Sequence, residues 1–481
     1  MGERMMKPRL AAAGALLLVA GSHTLAAPEA TAPPPGGNVV SVKDYGAKGD
    51  GRTRDTDAIQ RAVNAVKPGG TVWFPGGTYL IETNKGVTLK NDMRLDMQSA
   101  TLVGPNVAGA RCRIFTIEGK RRITFSGGTL IGSTAGTPEW GVGILASDAQ
   151  DLVIENVWFR DFHHEGILLT GNAGCQRVTV RHSVAVNNRR TGIAIVHAND
   201  VTVEDSTFNG TSGQSPQAGL NAEPNPGESV RKLRIRRCWF RGNKGNGIYI
   251  HKARGAAVSD VSVETSVVED NDYGIVVSEA SAVYLARNKV MRHAAQNRAG
   301  IVLGAVQQAK VLANFIDANF RGVLSSGSTG VDIRGNVIFG TGAAAVAHGG
   351  DGRDGVLCLG GNAIVPNACI VADNTIRRPP GSGIVTHLVT GTQLLNNAIE
   401  DPGQRAILMR GTSSSQARGN RITGAGREPP PRRYDAIELE QQSNHNVVVS
   451  NTIRRSPGLR NVIGVAAGCV GNTVAPNTVL N

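Results

Sequence analysis

The chain has 481 residues, a formal net charge of +13 and only 4% aromatic residues. Its six cysteines form no Cys-x-x-Cys pair, which argues against a thiolate metal site. The scarcity of aromatics and the lack of any recognition motif argue against nucleic acid, so the positive charge points to another acidic partner.

Arg4, Lys7 and Arg9 precede the apolar run Leu10 to Ala20, and small residues follow to Thr24-Leu25-Ala26-Ala27. This is the pattern of a secretory signal peptide over 1–26, cut after Ala26 and too short to span a bilayer with anchoring flanks. No cysteine stands at the cut, so a lipid anchor is not expected, and the location implied is periplasmic or secreted. Loss of Glu3, Arg4, Lys7 and Arg9 lowers the net charge from +13 to +11. Residues 27–40 read as a linker through Pro33-Pro34-Pro35-Gly36-Gly37. No later stretch is long and apolar enough for stable membrane insertion.

Residues 41–80 read as an entry module. Asp55 or Thr56 is a good helix N-cap, Ile59, Ala62, Val63 and Val66 mark one helical face, and Pro68-Gly69-Gly70 stops the helix. Thr71-Val72-Trp73-Phe74 then reads as a strand, and Pro75-Gly76-Gly77 as a corner. Placed here, an amphipathic helix would cap the open end of a solenoid.

Residues 81–481 repeat. Gly143-Ile144, Gly166-Ile167, Gly192-Ile193, Gly219-Leu220, Gly247-Ile248, Gly274-Ile275, Gly300-Ile301 and Gly322-Val323 are separated by 23, 26, 27, 28, 27, 26 and 22 residues. Between them, runs such as Val178-Thr179-Val180 and Val201-Thr202-Val203 alternate with the period of a strand. Stacked strand-built coils of this size predict an all-β fold, a single-stranded parallel β-helix. A second series stays in phase: Asn156, Ser183, Ser206, Cys238, Ser266, Asn288, Asn314, Asn336, Asn374, Asn397, Asn420 and Asn451. Small polar residues at one corner of every coil can bond to their neighbours above and below. Arg181, Glu204, Arg236 and Glu264 occupy one outward position on successive coils and read as a structural charge ladder. Cys358 and Cys369 are close enough in sequence to bridge.

The stretch Asp44-Tyr45-Gly46-Ala47-Lys48-Gly49-Asp50-Gly51, continued by Asp55-Thr56-Asp57-Ala58-Ile59-Gln60 and Gly70-Thr71-Val72-Trp73-Phe74-Pro75, resembles the N-terminal signature of the pectate-lyase-like superfamily of right-handed β-helices. The resemblance covers about residues 40–481 and implies a right-handed coil and a carbohydrate substrate. Arg54 departs from it, standing where that family usually carries an acid. It does not imply a reaction, because that scaffold hosts lyases, hydrolases, epimerases and binding proteins. The polygalacturonase motifs are absent as a set. Asp161-Phe162-His163-His164-Glu165 lies roughly where alginate epimerases carry Asp-Pro-His.

Register gives an independent route to a site. Residues one and three after each glycine are apolar and should face inward, so residues two and four face out. Outward residues are mostly neutral until Asn221/Glu223 and Tyr249/His251 on adjacent coils. We take His251 as candidate base with Lys252 as its alternative, Tyr249 as acid, and Asn221 as carboxylate binder. Arg190, His197 and Lys244 are further candidate substrate-binding residues. This set suits removal of the C5 proton of a uronate, as a lyase or C5-epimerase. Glu223 leaves a second route open, hydrolysis with a facing carboxylate from Glu279, Asp161 or Glu165. A non-catalytic glycan-binding or export-assisting β-helix protein is the third reading. The expected partner is an acidic polysaccharide and the expected state a monomer. No metal site is assigned, calcium at Glu223 being the one candidate ion.

Overall fold

The computed structural model describes residues 37–293, 298–340, 353–361, 364–366, 369–427 and 433–481. The segment read as a signal peptide, most of the linker, and parts of the glycine-rich stretch 347–355 and the proline-rich stretch 426–434 lie outside them.

The chain winds as a right-handed parallel β-helix whose strands pair only in parallel with the coils before and after. Each coil of the central region contributes to three faces. Face I holds strands such as Cys175–Arg181, Ala198–Glu204 and Ser229–Arg236; face II holds Val184–Val186, Thr207–Asn209 and Trp239–Arg241. Face III is a sheet of 15 strands, among them Glu165–Thr170, Thr191–Ile195, Ala218–Ala222 and Asn246–Ile250. Faces I and II are joined near the start of the coil by long strands. Arg121–Ile131 pairs with both, and turns the corner at Gly127 and Gly128, which have φ of 70° and 89°.

Inside runs one continuous apolar core. Ile167, Ile193, Leu220 and Ile248 stack inward on face III as the register requires. Phe208 and Phe240, fully buried on face II, stack with ring centroids 5.1 Å apart. The recurring glycines open the face III strands for a steric reason. A Cβ on Gly192 would stand 2.7 Å from the Gly219 carbonyl oxygen, and one on Gly219 would stand 2.8 Å from that of Gly247. The series continues through Gly355 and Gly383, each bounded by the next coil's carbonyl.

The polar ladder is present with one shift of register. Ser183 Oγ accepts the N–H of Val157, so Val157 holds the ladder place expected for Asn156. Asn156 turns the corner beside it with φ of 58°. From Asn288 to Asn451 the side chains pass bonds from coil to coil, and Asn477 extends the series. Cys238 sits in the ladder as a buried small residue. The charge ladder also holds: Arg181 pairs with Glu155 at 2.6 Å, Arg236 with Glu204 at 2.7 Å, and Arg287 with Glu264.

The single α-helix among the described residues, Thr56–Ala65, buries Ile59, Ala62 and Val63 in the same core as Val72, Val87 and Leu89. Asp55 occupies its N-cap without a side-chain cap bond. Its carboxylate instead accepts the N–H groups of Lys48 and Gly49, at 2.7 and 3.1 Å, and so shapes the preceding loop. Cys358 and Cys369 are disulfide-bonded. Among the described residues no helix is long and apolar enough to cross a membrane.

Candidate active site on the third face

Parallel register sets the outward residues of face III in columns. Leu168, Ala194, Asn221, Tyr249 and Val276 form one column, with Thr170, Val196, Glu223, His251 and Ser278 beside it toward the strand ends. Glu165 opens its strand on the other side, and Arg190 leaves the corner one coil later.

Arg190 spans the face. Its Nη1 donates to Glu165 Oε1 at 2.9 Å and its Nη2 donates to Glu223 Oε1. Glu223 Oε2 lies 3.8 Å from His251 Nε2. The rings of Tyr249 and His251 stack at 4.1 Å, 23° from parallel. Lys252 Nζ reaches Glu279 on the following coil at 3.2 Å. The side chains of Arg190, Glu223, His251 and Lys252 are 21%, 20%, 29% and 21% exposed, so a ligand can touch each; Glu165, at 5%, is enclosed beneath them.

Burial sets the protonation states. It pushes the Glu165 carboxyl up to about 7 against the pull of Arg190. It lowers the His251 imidazole below its ordinary 6.5, with Glu223 opposing, which favours the neutral ring. Burial, aided by the Glu223 charge, raises the Tyr249 phenol above 10 and keeps it protonated. A neutral imidazole and a protonated phenol therefore stand side by side.

Asn221 is in its expected column but wholly enclosed, and neither of its amide atoms has a partner among the described residues. His197 lies apart, its Nδ1 2.9 Å from the Gly171 carbonyl oxygen. Lys244 is exposed at the corner before Asn246–Ile250, with no bond to this group among the described residues. Of the three carboxylates proposed to face Glu223, Glu165 shares its arginine, whereas Glu279 holds Lys252 and Asp161 holds Arg160. His163 and His164 are not surface ligands: His164 is buried, its Nδ1 accepting the Gly141 N–H, and His163 contacts Arg189. No group of three or more His, Cys, Asp or Glu is arranged to hold a metal among the described residues.

A second polar ladder underlies the corner that carries Arg190. Asn188 Oδ1 accepts the Phe162 N–H, and Thr211, Asn243, Asn271, His293 and Asn319 follow. Each of these residues from Asn188 on comes five positions after a member of the first ladder, a spacing open to reading in the sequence. Among the described residues, the Asn188 amide nitrogen and Thr211 hydroxyl have no partner where this ladder passes the candidate site.

Matches to known families agree with the fold. The right-handed β-helix region matches over 83–221, 217–353 and 348–481, and the rhamnogalacturonase A/epimerase, pectate-lyase-like model matches residues 39–111. The chain is a right-handed β-helix protein of the pectate-lyase-like superfamily. Among curated proteins this β-helix protein is 28% identical to YclG of Bacillus subtilis over 62% of its own length and 57% of YclG. It is 23% identical to an exo-poly-alpha-D-galacturonosidase of Dickeya chrysanthemi over 61% of its length and 63% of that enzyme. It thus spans about three fifths of both relatives. The PfbA surface adhesin of Streptococcus pneumoniae shares the fold, with a TM-score of 0.51 and 20% identity over 77% of this chain and 93% of that one.

Proposed function

We propose that this β-helix protein acts on an acidic, uronate-containing polysaccharide by abstracting the C5 proton, as a lyase or C5-epimerase. The observation that carries the reading is the stacked pair of neutral His251 and protonated Tyr249 beside the partly exposed guanidinium of Arg190. The relative named as a galacturonosidase supports the substrate class, since galacturonan is a polyuronate.

In this mechanism Arg190 receives the uronate carboxylate. Below neutrality Glu165 holds its proton, so Glu223 is the one anion already matched to Arg190, and a substrate carboxylate can share the guanidinium. The cation stabilises the enolate-like charge that develops as C5 loses its proton. His251 takes that proton and becomes imidazolium, facing Glu223 at 3.8 Å. In a lyase the C4–O bond then breaks and Tyr249 protonates the departing glycosidic oxygen. In an epimerase a proton returns to C5 from the opposite face, which Tyr249, stacked beside His251, does not reach, so solvent supplies it. Asn221, enclosed and next to Tyr249 in the outward column, acts on the site by positioning rather than as the carboxylate binder that the sequence suggested. The acid limb of the pH–rate profile falls below pH 6.5, because His251 must be neutral.

Hydrolysis is the second reading, favoured by one observation: Glu165 and Glu223 meet on a single guanidinium, with Glu165 raised to about 7 as an acid would be. The enclosure of Glu165 ranks it second. Ultraviolet absorbance on mixing the protein with a panel of polyuronates, with and without calcium, separates the two. New unsaturated ends that disappear with His251→Ala or Tyr249→Phe support the lyase. New reducing ends without absorbance, abolished by Glu165→Gln, transfer the assignment to hydrolysis. The leader read in residues 1–26 supports export, and a mature protein beginning at Ala27 is the expected result of N-terminal sequencing.

A further inference from the structure

Face III carries a second polar group further along the coil. In register beyond Tyr249 come Val276, Val302, Leu324 and Leu357. Four strand steps place Leu357 about 19 Å from Tyr249 along the axis. There the face opens into a cavity of about 190 Å³. Leu357, Val385 and Leu408, consecutive members of the same column, floor it, while Arg321, His387 and Arg410 stand around it.

The polar groups differ in how they are engaged. Asp354, also on the wall, accepts the Ser382 N–H at 3.0 Å and so turns toward the backbone. Arg410 Nε bonds Glu440 at 2.5 Å. Arg321 has its guanidinium 5.5 Å over the Phe320 ring, yet its enclosed Nε–H has no acceptor among the described residues. Arg321 lines the cavity and forms no ion pair with a carboxylate among the described residues, so its guanidinium is a cation open to an oxyanion ligand. An aliphatic floor on the same side is what the C–H face of a pyranose packs against. The volume suits one sugar ring.

We propose that this cavity is a second glycan subsite, holding one anionic pyranose unit with its carboxylate on Arg321 and its ring over Leu357, Val385 and Leu408. The ligand class rests on the uronate reading above. A glycan lying along the coil axis reaches both this cavity and Tyr249, so the subsite anchors polymer while chemistry proceeds four coils away.

Calorimetric titration with oligogalacturonides and oligomannuronates tests this in the full chain carrying Tyr249→Phe and His251→Ala, which disables turnover. The expected result is residual binding, weakened about tenfold or more by Arg321→Gln and likewise by Leu357→Asp, with melting temperatures unchanged. Affinity unaltered by both substitutions overturns the subsite. Absence of binding to the disabled background, while the wild type turns the same oligomers over, also overturns it and leaves the proposed function intact. Arg321-dependent binding by a wild type that shows no turnover supports the subsite and overturns the proposed reaction instead.

Discussion

Asn336 and Asn221 are the same side chain at the same burial, each 0% exposed, in opposite states. Asn336 donates to Val311 at 2.8 Å and to Asn374 at 2.9 Å, and accepts from the backbone and amide of Asn314. Asn221 pairs with nothing among the described residues. The ladder corner is what a solenoid does by default with a polar residue, repeating it until each coil satisfies the next. Around the candidate site the repetition is broken. Of eight unpartnered buried side-chain atoms among the described residues, five belong to Asn188, Thr191, Thr211 and Asn221. Buried polar groups go unpaired near where Arg190, Glu165 and Glu223 assemble, which supports the proposal of a site there.

Four outcomes would break or sharpen this contrast. The largest is catalytic. His251→Ala lowers turnover of a polyuronate by about 10²–10⁴-fold, checked by initial rates, with the melting temperature unchanged. Next, Asn336→Ala removes a link bonded on both sides and costs about 2–4 kcal/mol in denaturant unfolding. A smaller effect belongs to Glu165. Its carboxyl is raised from 4.5 to about 7 in the folded protein, so the native state holds the proton more tightly than the unfolded chain. Stability is therefore fully present below pH 4.5 and falls as pH rises toward 7, by at most about 1.4 kcal/mol per unit. Unfolding curves across that range should show the slope, and Glu165→Gln should flatten it. The smallest is Asn221→Ala, which relieves two unpaired amide atoms. It leaves stability unchanged or raises it by about 1 kcal/mol while turnover falls, the reverse of the Asn336 result.

Much of the fold was legible because a solenoid repeats its physics. Gly192 and Gly219 recur since any Cβ there meets the next coil's carbonyl, and Val178-Thr179-Val180 alternates because one side of face I is core. The register misplaced the ladder by one residue at Asn156, where the ladder member is Val157, a residue with no polar side chain to announce it. The column of outward residues isolated Asn221, Glu223, Tyr249 and His251, but not the bridge through Arg190. That contact joins residues 165, 190 and 223 across three coils from both sides of the face, and no single column contains it. The Arg321 cavity escaped because the glycine steps lengthen after Gly322, to 33 residues at Gly355, and the columns lose their phase there.

The most direct test of the central claim is proton nuclear magnetic resonance of an oligouronide incubated with the protein in deuterated water. The account predicts loss of the C5 proton signal, whether by elimination or by return of deuterium on the opposite face, and its full retention with His251→Ala. Retention of the C5 proton by the wild type while new reducing ends accumulate would contradict proton abstraction and assign the chemistry to Glu165 and Glu223.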